Sequence, residues 1–402
     1  MQIEPITQLE LDATHGDLWD LEPGVHLLNH GSFGACPRAV LAHQSDLRAR
    51  LERNTMGFMT RELEPLWDAS RERLAGFLGC DAGGLAFVSN ATEGVNAVVR
   101  SMALEPGDEL LTADHEYRAC VNALSFVAHR AGAEVVTAEV PVPTTDPGEI
   151  IERVVARVTG RTRLAMLSWV TSKTAQVWPM VELVRELEGR GIAVLVDAAH
   201  APGMIEVDIA SLGASYVTGN CHKWICAPKG SAFLWVREDR RSTVRPVSIS
   251  HGATADRPGR TRYHTEFDWT GTDDPTPKLC VGHAIEHLEQ AVPGGWAWIR
   301  ERNRQLALGA RALLMDRLGS EATCPPEMVG AIAAVEVPGV HAERAMAVQV
   351  MLGERWRAFV PFIDWADGRT FVRVSAQLYN EPSQYEVLAG ILTEELPGAL
   401  GG

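Results

Sequence analysis

The sequence predicts an α/β chain with a large domain built on a seven-stranded, mostly parallel sheet, followed by a smaller α+β domain. Three observations carry this. Between about residues 84 and 237, short β-rich runs alternate with amphipathic helical stretches. After about residue 295 the alternation gives way to a long helical pattern and then mixed elements. A length of 402 residues with 46% hydrophobic content suits two or three domains with a sizeable core. The expected division is an N-terminal segment over 1–25, a large domain over 26–295 and a small domain over 296–402.

The seven runs cover 84–89, 108–114, 134–140, 162–170, 192–199, 216–220 and 231–237. Ligands of such sheets bind at the carboxyl ends of strands, so the residues closing each run are where function is sought. Beyond 295 the pattern reads as a helix over 296–318, a strand over 331–337, a helix near 343–353, strands over 359–365 and 370–376, and a last helix.

Several functional classes are disfavoured. The net charge of −15 has no compensating basic run, which argues against nucleic acid or anionic membrane as a partner. The first ten residues have neither a basic region nor an apolar core, so no signal peptide is read there. No apolar run approaches the ~20 residues of a membrane span. Seven widely spaced cysteines suggest reduced thiols in a cytoplasmic protein rather than a disulfide framework. No cysteine pair has metal-ligand spacing with histidines, so no metal is expected.

The run ends supply the chemistry. After the first, Ser89-Asn-Ala-Thr-Glu-Gly94 leads into a helix opening near Ala91 or Thr92, whose free N–H groups and Thr92 hydroxyl suit a phosphate; the alternative is an ordinary helix cap. After the second, Asp114-His-Glu-Tyr117 offers two rings to sandwich a flat cofactor, His115 first, as a catalytic candidate that could also relay a proton, and Tyr117 in reserve, against the alternative of a structural histidine. After the fourth, Ser168-Trp-Val-Thr-Ser172-Lys-Thr174 supplies hydroxyls, Ser172 among them, for a ring oxygen. Asp197 closes the fifth run, with His200 three residues on as a second hydrogen-bonding candidate. Lys223 follows the sixth, one of four lysines in the chain, between a Gly219-Asn-Cys-His turn and an apolar Trp-Ile-Cys-Ala run.

An aspartate that keeps a pyridine nitrogen protonated and a lysine that holds an aldehyde as a Schiff base are together the requirements of a pyridoxal 5′-phosphate site. The substrate would then be an amino acid, activated at its α-carbon.

Taken as a set, Ser89-Asn-Ala-Thr-Glu-Gly, Asp114-His-Glu-Tyr, Asp197-Ala-Ala-His, Gly219-Asn-Cys-His-Lys-Trp-Ile-Cys-Ala-Pro-Lys-Gly and Phe267-Asp-Trp-Thr-Gly-Thr272 resemble the class V aminotransferase-like enzymes, in the isopenicillin N epimerase-like branch. The resemblance runs from Leu27-Leu-Asn-His-Gly-Ser-Phe-Gly34 to Phe371-Val-Arg-Val-Ser375. It implies a fold type I pyridoxal phosphate enzyme, a homodimer with active sites at the subunit interface. It further implies that Lys223 holds the cofactor, Asp197 pairs with its ring nitrogen, and Ala91, Thr92, Asn220 and His222 surround its phosphate, with Thr272 supplied by the partner subunit. Arg373 matches the arginine that clamps the substrate carboxylate, a task suited to a planar bidentate group; a surface arginine on an edge strand is the alternative. Asn29 and His30 would lie near the substrate.

The chain departs from the pattern in two places. No cysteine occurs between 325 and Arg373, where desulfurases of this fold carry a sulfur-capturing cysteine, so persulfide formation is disfavoured. Trp169 stands where relatives commonly have histidine, and Lys173-Thr-Ala replaces a Pro-Thr-Gly-like turn. Both Trp169 and Lys173 are therefore substrate-side candidates, Lys173 as a second proton donor or carboxylate ligand, against a solvent-exposed loop lysine. The branch implies C–S bond cleavage of an S-substituted cysteine in bacterial secondary metabolism, with epimerisation, decarboxylative deamination and transamination as alternatives. A noncatalytic regulator on this fold would carry a DNA-binding domain, for which the N-terminus leaves no room.

Overall fold

The computed structural model describes residues 7–400; residues 1–6, part of the segment read for a signal peptide and of the expected segment 1–25, lie outside the described residues. Seven strands form the large sheet: β1 (Leu85–Val88), β2 (Glu109–Ala113), β3 (Glu134–Ala138), β4 (Thr162–Ser168), β5 (Ala193–Asp197), β6 (Tyr216–Asn220) and β7 (Ala232–Val236). Their order is β1-β7-β6-β5-β4-β2-β3. β7 runs antiparallel to both its neighbours and all other pairs are parallel, so the sheet is mostly parallel, as expected.

Every residue of β2, β5, β6 and β7 is buried, which requires cover on both faces. Alternation along each strand divides the core in two. Leu164, Met166 and Leu195 pack with Val95, Val98 and Leu124 of α1 (Ala91–Arg100) and α2 (Arg118–Ala131). Their neighbours Ala165, Leu167, Val194 and Val196 face Leu183 and Leu187 of α3 (Met180–Glu188) on the other side. Gly94 lets α1 approach the sheet, because a Cβ there would fall 2.1 Å from Thr218 Oγ1. The helix start is thereby held against the end of β6.

Two elements differ from the sequence expectation. β4 ends at Ser168 rather than 170, because the Thr171 hydroxyl takes the Gln176 N–H (2.9 Å) and closes a turn. The run over 359–365 is split around Pro361, which cannot donate to a ladder: Ala358–Phe359 pairs with His26–Leu27, and β9 (Phe362–Asp364) joins a three-stranded antiparallel sheet. That sheet has the order β9-β10-β8, with β8 (Ile332–Glu336) and β10 (Thr370–Ser375), and it packs on the long helix α4 (Gly295–Leu318). No helix among the described residues is long and apolar enough to cross a membrane.

Candidate active site

A cavity of about 420 Å³ opens at the carboxyl ends of β4, β5 and β6, lined by residues that include Thr92, Tyr117, Ser172, Asp197, His200 and Lys223. A larger cavity of about 690 Å³ lies between residues 100–104, 126–131 and 243–249, but no acid, histidine or lysine lines it. Chemistry therefore decides in favour of the smaller one.

Lys223 sits in the tight turn after β6. Gly203, at φ +88°, lets the neighbouring chain pass that turn, since a Cβ there would lie 2.6 Å from the Trp224 carbonyl. The Lys223 ammonium is buried, which lowers its pKa to about 8 despite the opposing pull of Asp197. Its Nζ lies 3.1 Å from His200 Nε2, while the Trp224 indole N–H donates to His200 Nδ1 at 3.4 Å. A neutral imidazole that accepts at Nδ1 carries its proton on Nε2, so His200 can donate to the lysine once the amine has lost its proton, at and above about pH 8. Burial holds His200 well below its ordinary pKa, consistent with that tautomer.

Asp197 closes β5 and is almost fully buried; burial raises its pKa, opposed by the Ala199 N–H (2.9 Å) and by Lys223. The Cys120 thiol on α2 also donates to it, at 3.3 Å. Across the cavity, α1 is capped by Asn90, whose side chain accepts the Glu93 N–H (2.9 Å), and Asn220 Oδ1 accepts the Ala91 N–H (2.9 Å). Ala91, Thr92, Asn220 and His222 thus meet at one end of the cavity, where a helix N-terminus favours an anion. His222 Nδ1 donates to the Ser231 carbonyl (2.8 Å), which leaves Nε2 for the cavity, and burial pushes its pKa down to about 4.

Arg373 on β10 stands behind Ser32 and Ser172. It is 4% exposed, and its neighbours are neutral: the carbonyl and hydroxyl of Ser172, Ser32 Oγ (3.1 Å) and Asn29 Oδ1 (3.4 Å). No acidic side chain among the described residues pairs with it, its buried Nε has no partner, and burial lowers its pKa to about 10. A buried guanidinium in this state fits an anionic ligand.

The remaining sequence candidates fall elsewhere. His115 does not face the cavity: Nδ1 meets Thr174 Oγ1 (2.6 Å), Nε2 donates to the Val140 carbonyl (3.0 Å), and the ring packs among Trp178 and Trp365. Burial lowers its pKa to about 4. The ring this segment offers the cavity is Tyr117, the reserve candidate. His30 is likewise turned away, bonded to Tyr379 Oη (2.8 Å) and to the Lys223 carbonyl (3.0 Å), so it touches the lysine's backbone and not the cavity. Trp169 is absent from the lining because side chains alternate: Ser168 and Val170 face the cavity and Trp169 enters the core. Lys173 donates to the Asp114 carbonyl (2.8 Å) and lines a separate cavity of about 230 Å³ with Arg118 and Trp365. Thr272 is exposed and does not line the cavity of its own chain.

Sequence reasoning missed Glu116 and Cys120 beneath the cavity. Cys120 lies one helical turn beyond Tyr117, a spacing that could have drawn notice; Glu116 lay inside a quoted motif.

The aminotransferase class-V family model matches residues 35–388. The chain belongs to that family. It is 37% identical over 388 residues to isopenicillin N epimerase of Amycolatopsis lactamdurans, covering 93% of this chain and 96% of that protein. It is 30% identical over 408 residues to a probable chloroplastic L-cysteine desulfhydrase of Arabidopsis thaliana, covering 95% and 84%. Among solved structures, the cystine C–S lyase C-DES bound to its product cysteine persulfide superimposes with a TM-score of 0.77 at 21% identity, covering 91% of this chain and 97% of that one. These likenesses establish the fold type I architecture, and the chain is a class V enzyme dependent on pyridoxal 5′-phosphate. The cavity fits that cofactor: it joins a buried amine, a buried carboxylate and an anion-favouring helix start.

Proposed function

We propose that this enzyme cleaves the C–S bond of an S-substituted cysteine by β-elimination. When bound, pyridoxal phosphate supplies an electron-withdrawing ring conjugated to the substrate α-carbon. The residues supply the rest. Lys223 would hold the cofactor aldehyde and, once the substrate's own amine has displaced it, its freed amine would take the α-proton. Asp197 would accept from the ring nitrogen. Ala91, Thr92, Asn220 and His222 would hold the phosphate, and because the His222 Nδ1 proton is committed to Ser231, a hydrogen bond between Nε2 and the phosphate needs one further proton shared by that pair. Tyr117 and Ser172, which line the cavity, would contact the ring and its oxygen, and Arg373, behind Ser32 and Ser172 with Asn29 beside it, would orient the substrate carboxylate.

The observation that carries elimination is that, among the described residues, Lys223 is the one lysine lining the cavity, while Lys173, the second base an epimerase would use, donates to the Asp114 carbonyl and lines another. Epimerisation is the second reading, favoured by the relative at 37% identity; the desulfhydrase relative favours the first. Product mass spectrometry in heavy water, with a panel of S-substituted L-cysteines and Lys223→Ala as control, separates them. Pyruvate, ammonia and a free thiol are expected; a deuterated, inverted amino acid as sole product would overturn the proposal.

A homodimer with a shared site is part of the same reading, with Thr272 of the partner subunit completing the phosphate end. Phe33, 83% exposed on the cavity rim, supports a covering subunit. The division into domains at residue 295 is likewise proposed, with proteolysis between the two as its check.

A further inference from the structure

A second buried carboxyl lies beside Asp197, and the mechanism above leaves it without a task. Glu116 is 1% exposed. Its Oε1 accepts the Ser168 N–H (2.8 Å), and its Oε2 makes a close hydrogen bond to Ser168 Oγ. Ser168 and Asp197 are register partners on the parallel strands β4 and β5, so their side chains stand next to one another on one face. Two buried carboxyls therefore flank a single serine.

The groups around Glu116 do not neutralise it. Lys173, on the loop after β4, has its Nζ on the Asp114 carbonyl, and it lines the outer cavity together with Arg118 and Asp114 from the loop after β2. On α2, Cys120 donates its thiol to Asp197. No cation among the described residues lies within ion-pair distance of Glu116. Burial, reinforced by the charge on Asp197 and opposed by Ser168, pushes Glu116 up to about 8. Like carboxyls in one site do not both ionise readily.

We infer that Glu116 and Asp197 are an unequal carboxyl pair, in which Glu116 stays protonated and donates to Ser168 Oγ while the negative charge resides on Asp197 to meet the cofactor's ring nitrogen. Glu116 is thus a positioning residue: it fixes the Ser168 hydroxyl and confines the charge to one acid. Its ionisation at alkaline pH places a second negative charge under the ring, which holds the ring nitrogen's proton more tightly.

Infrared spectroscopy of the apoprotein tests this directly. A protonated-carboxyl C=O stretch is expected at neutral pH, titrating away under alkaline conditions, absent from Glu116→Gln, and titrating away at lower pH in Asp197→Ala, where the neighbouring charge that favours the protonated acid is gone. Ser168→Ala should move that stretch to higher frequency, because the acid loses its acceptor, and keeps the inference testable if Glu116→Gln does not fold. In the holoenzyme, an alkaline inflection in cofactor absorbance should be present in the wild type and missing from Glu116→Gln. Persistence of the stretch in Glu116→Gln, an unshifted midpoint in Asp197→Ala, or an unmoved stretch in Ser168→Ala would overturn the inference. The inference rests on the assignment of Asp197 to the ring nitrogen; cofactor retention by Asp197→Ala reads that assignment separately, since the infrared arm uses apoprotein.

Discussion

Replacing Arg373 with methionine should weaken the binding of amino acids without harming the fold. The guanidinium is buried among neutral groups, with no acidic partner among the described residues and an unbonded Nε, so its charge is left uncompensated there. Two charge-assisted hydrogen bonds to a substrate carboxylate contribute about 1.5–3 kcal/mol each. Allowing for imperfect geometry, their loss amounts to about 3–4 kcal/mol, or roughly 10²–10³-fold in affinity. The assay is a titration of the holoenzyme, read by cofactor absorbance, with an S-substituted L-cysteine and with the matching amine that lacks the carboxylate. The acid should lose its affinity by that factor and the amine should bind as before. Thermal stability should be unchanged or improved, because a buried ion without a counter-ion is replaced by an apolar side chain of similar length. Equal weakening of acid and amine would refute the carboxylate role, and a large loss of stability would refute the claim that the charge lacks compensation in the resting fold.

Other predictions follow from the site's geometry and titration. The Lys223 amine should react with the free cofactor aldehyde at a rate that climbs with pH and levels off above about 8, in stopped-flow mixing of the apoprotein; a midpoint near that of an ordinary lysine would show that burial has no such effect. Because folded His115 titrates near 4, below its unfolded value, the unfolded chain binds more protons as pH falls through ~6.5 to ~4, and stability is lost in that window by up to about 3 kcal/mol. Chemical denaturation of His115→Gln at the two ends of the window should show a flatter pH dependence, with cofactor absorbance unaltered. Lys173→Met should leave α-proton exchange into heavy water intact when followed by NMR; its abolition would mean that Lys173 reaches the main cavity.

Much of this was legible before any coordinates, because each strand end in a parallel sheet is also a position in the sequence. Asp197, Lys223, Asn220 and Thr92 could be placed in one cavity by noting which residues close the β-rich runs. What could not be read was direction. His115 and Tyr117 are two residues apart, and only the packing of His115 among Trp178 and Trp365, with Thr174 and Val140 taking its nitrogens, decides which ring faces the cavity. Trp169 differs from expectation for a related reason: it is next to cavity residues in sequence, but alternation sends its side chain into the core. Lys173 follows a cavity residue in sequence but points to the far side of it. Glu116 and Cys120 escaped notice because they act on other side chains, and such contacts leave no periodic mark.

His30 has a mechanical consequence. One nitrogen holds Tyr379 near the C-terminal end of the chain and the other holds the carbonyl of Lys223, and a Cβ on Gly34 would collide with both partners of the second bond. The backbone carrying the lysine is anchored to a distant part of the chain and cannot slide toward its target. All the travel of the amine comes from torsions along its own four methylenes, as with a crane on a fixed mast. A shortened analogue installed at position 223 would fall short by its full missing length, with no give in the mount to make up the difference.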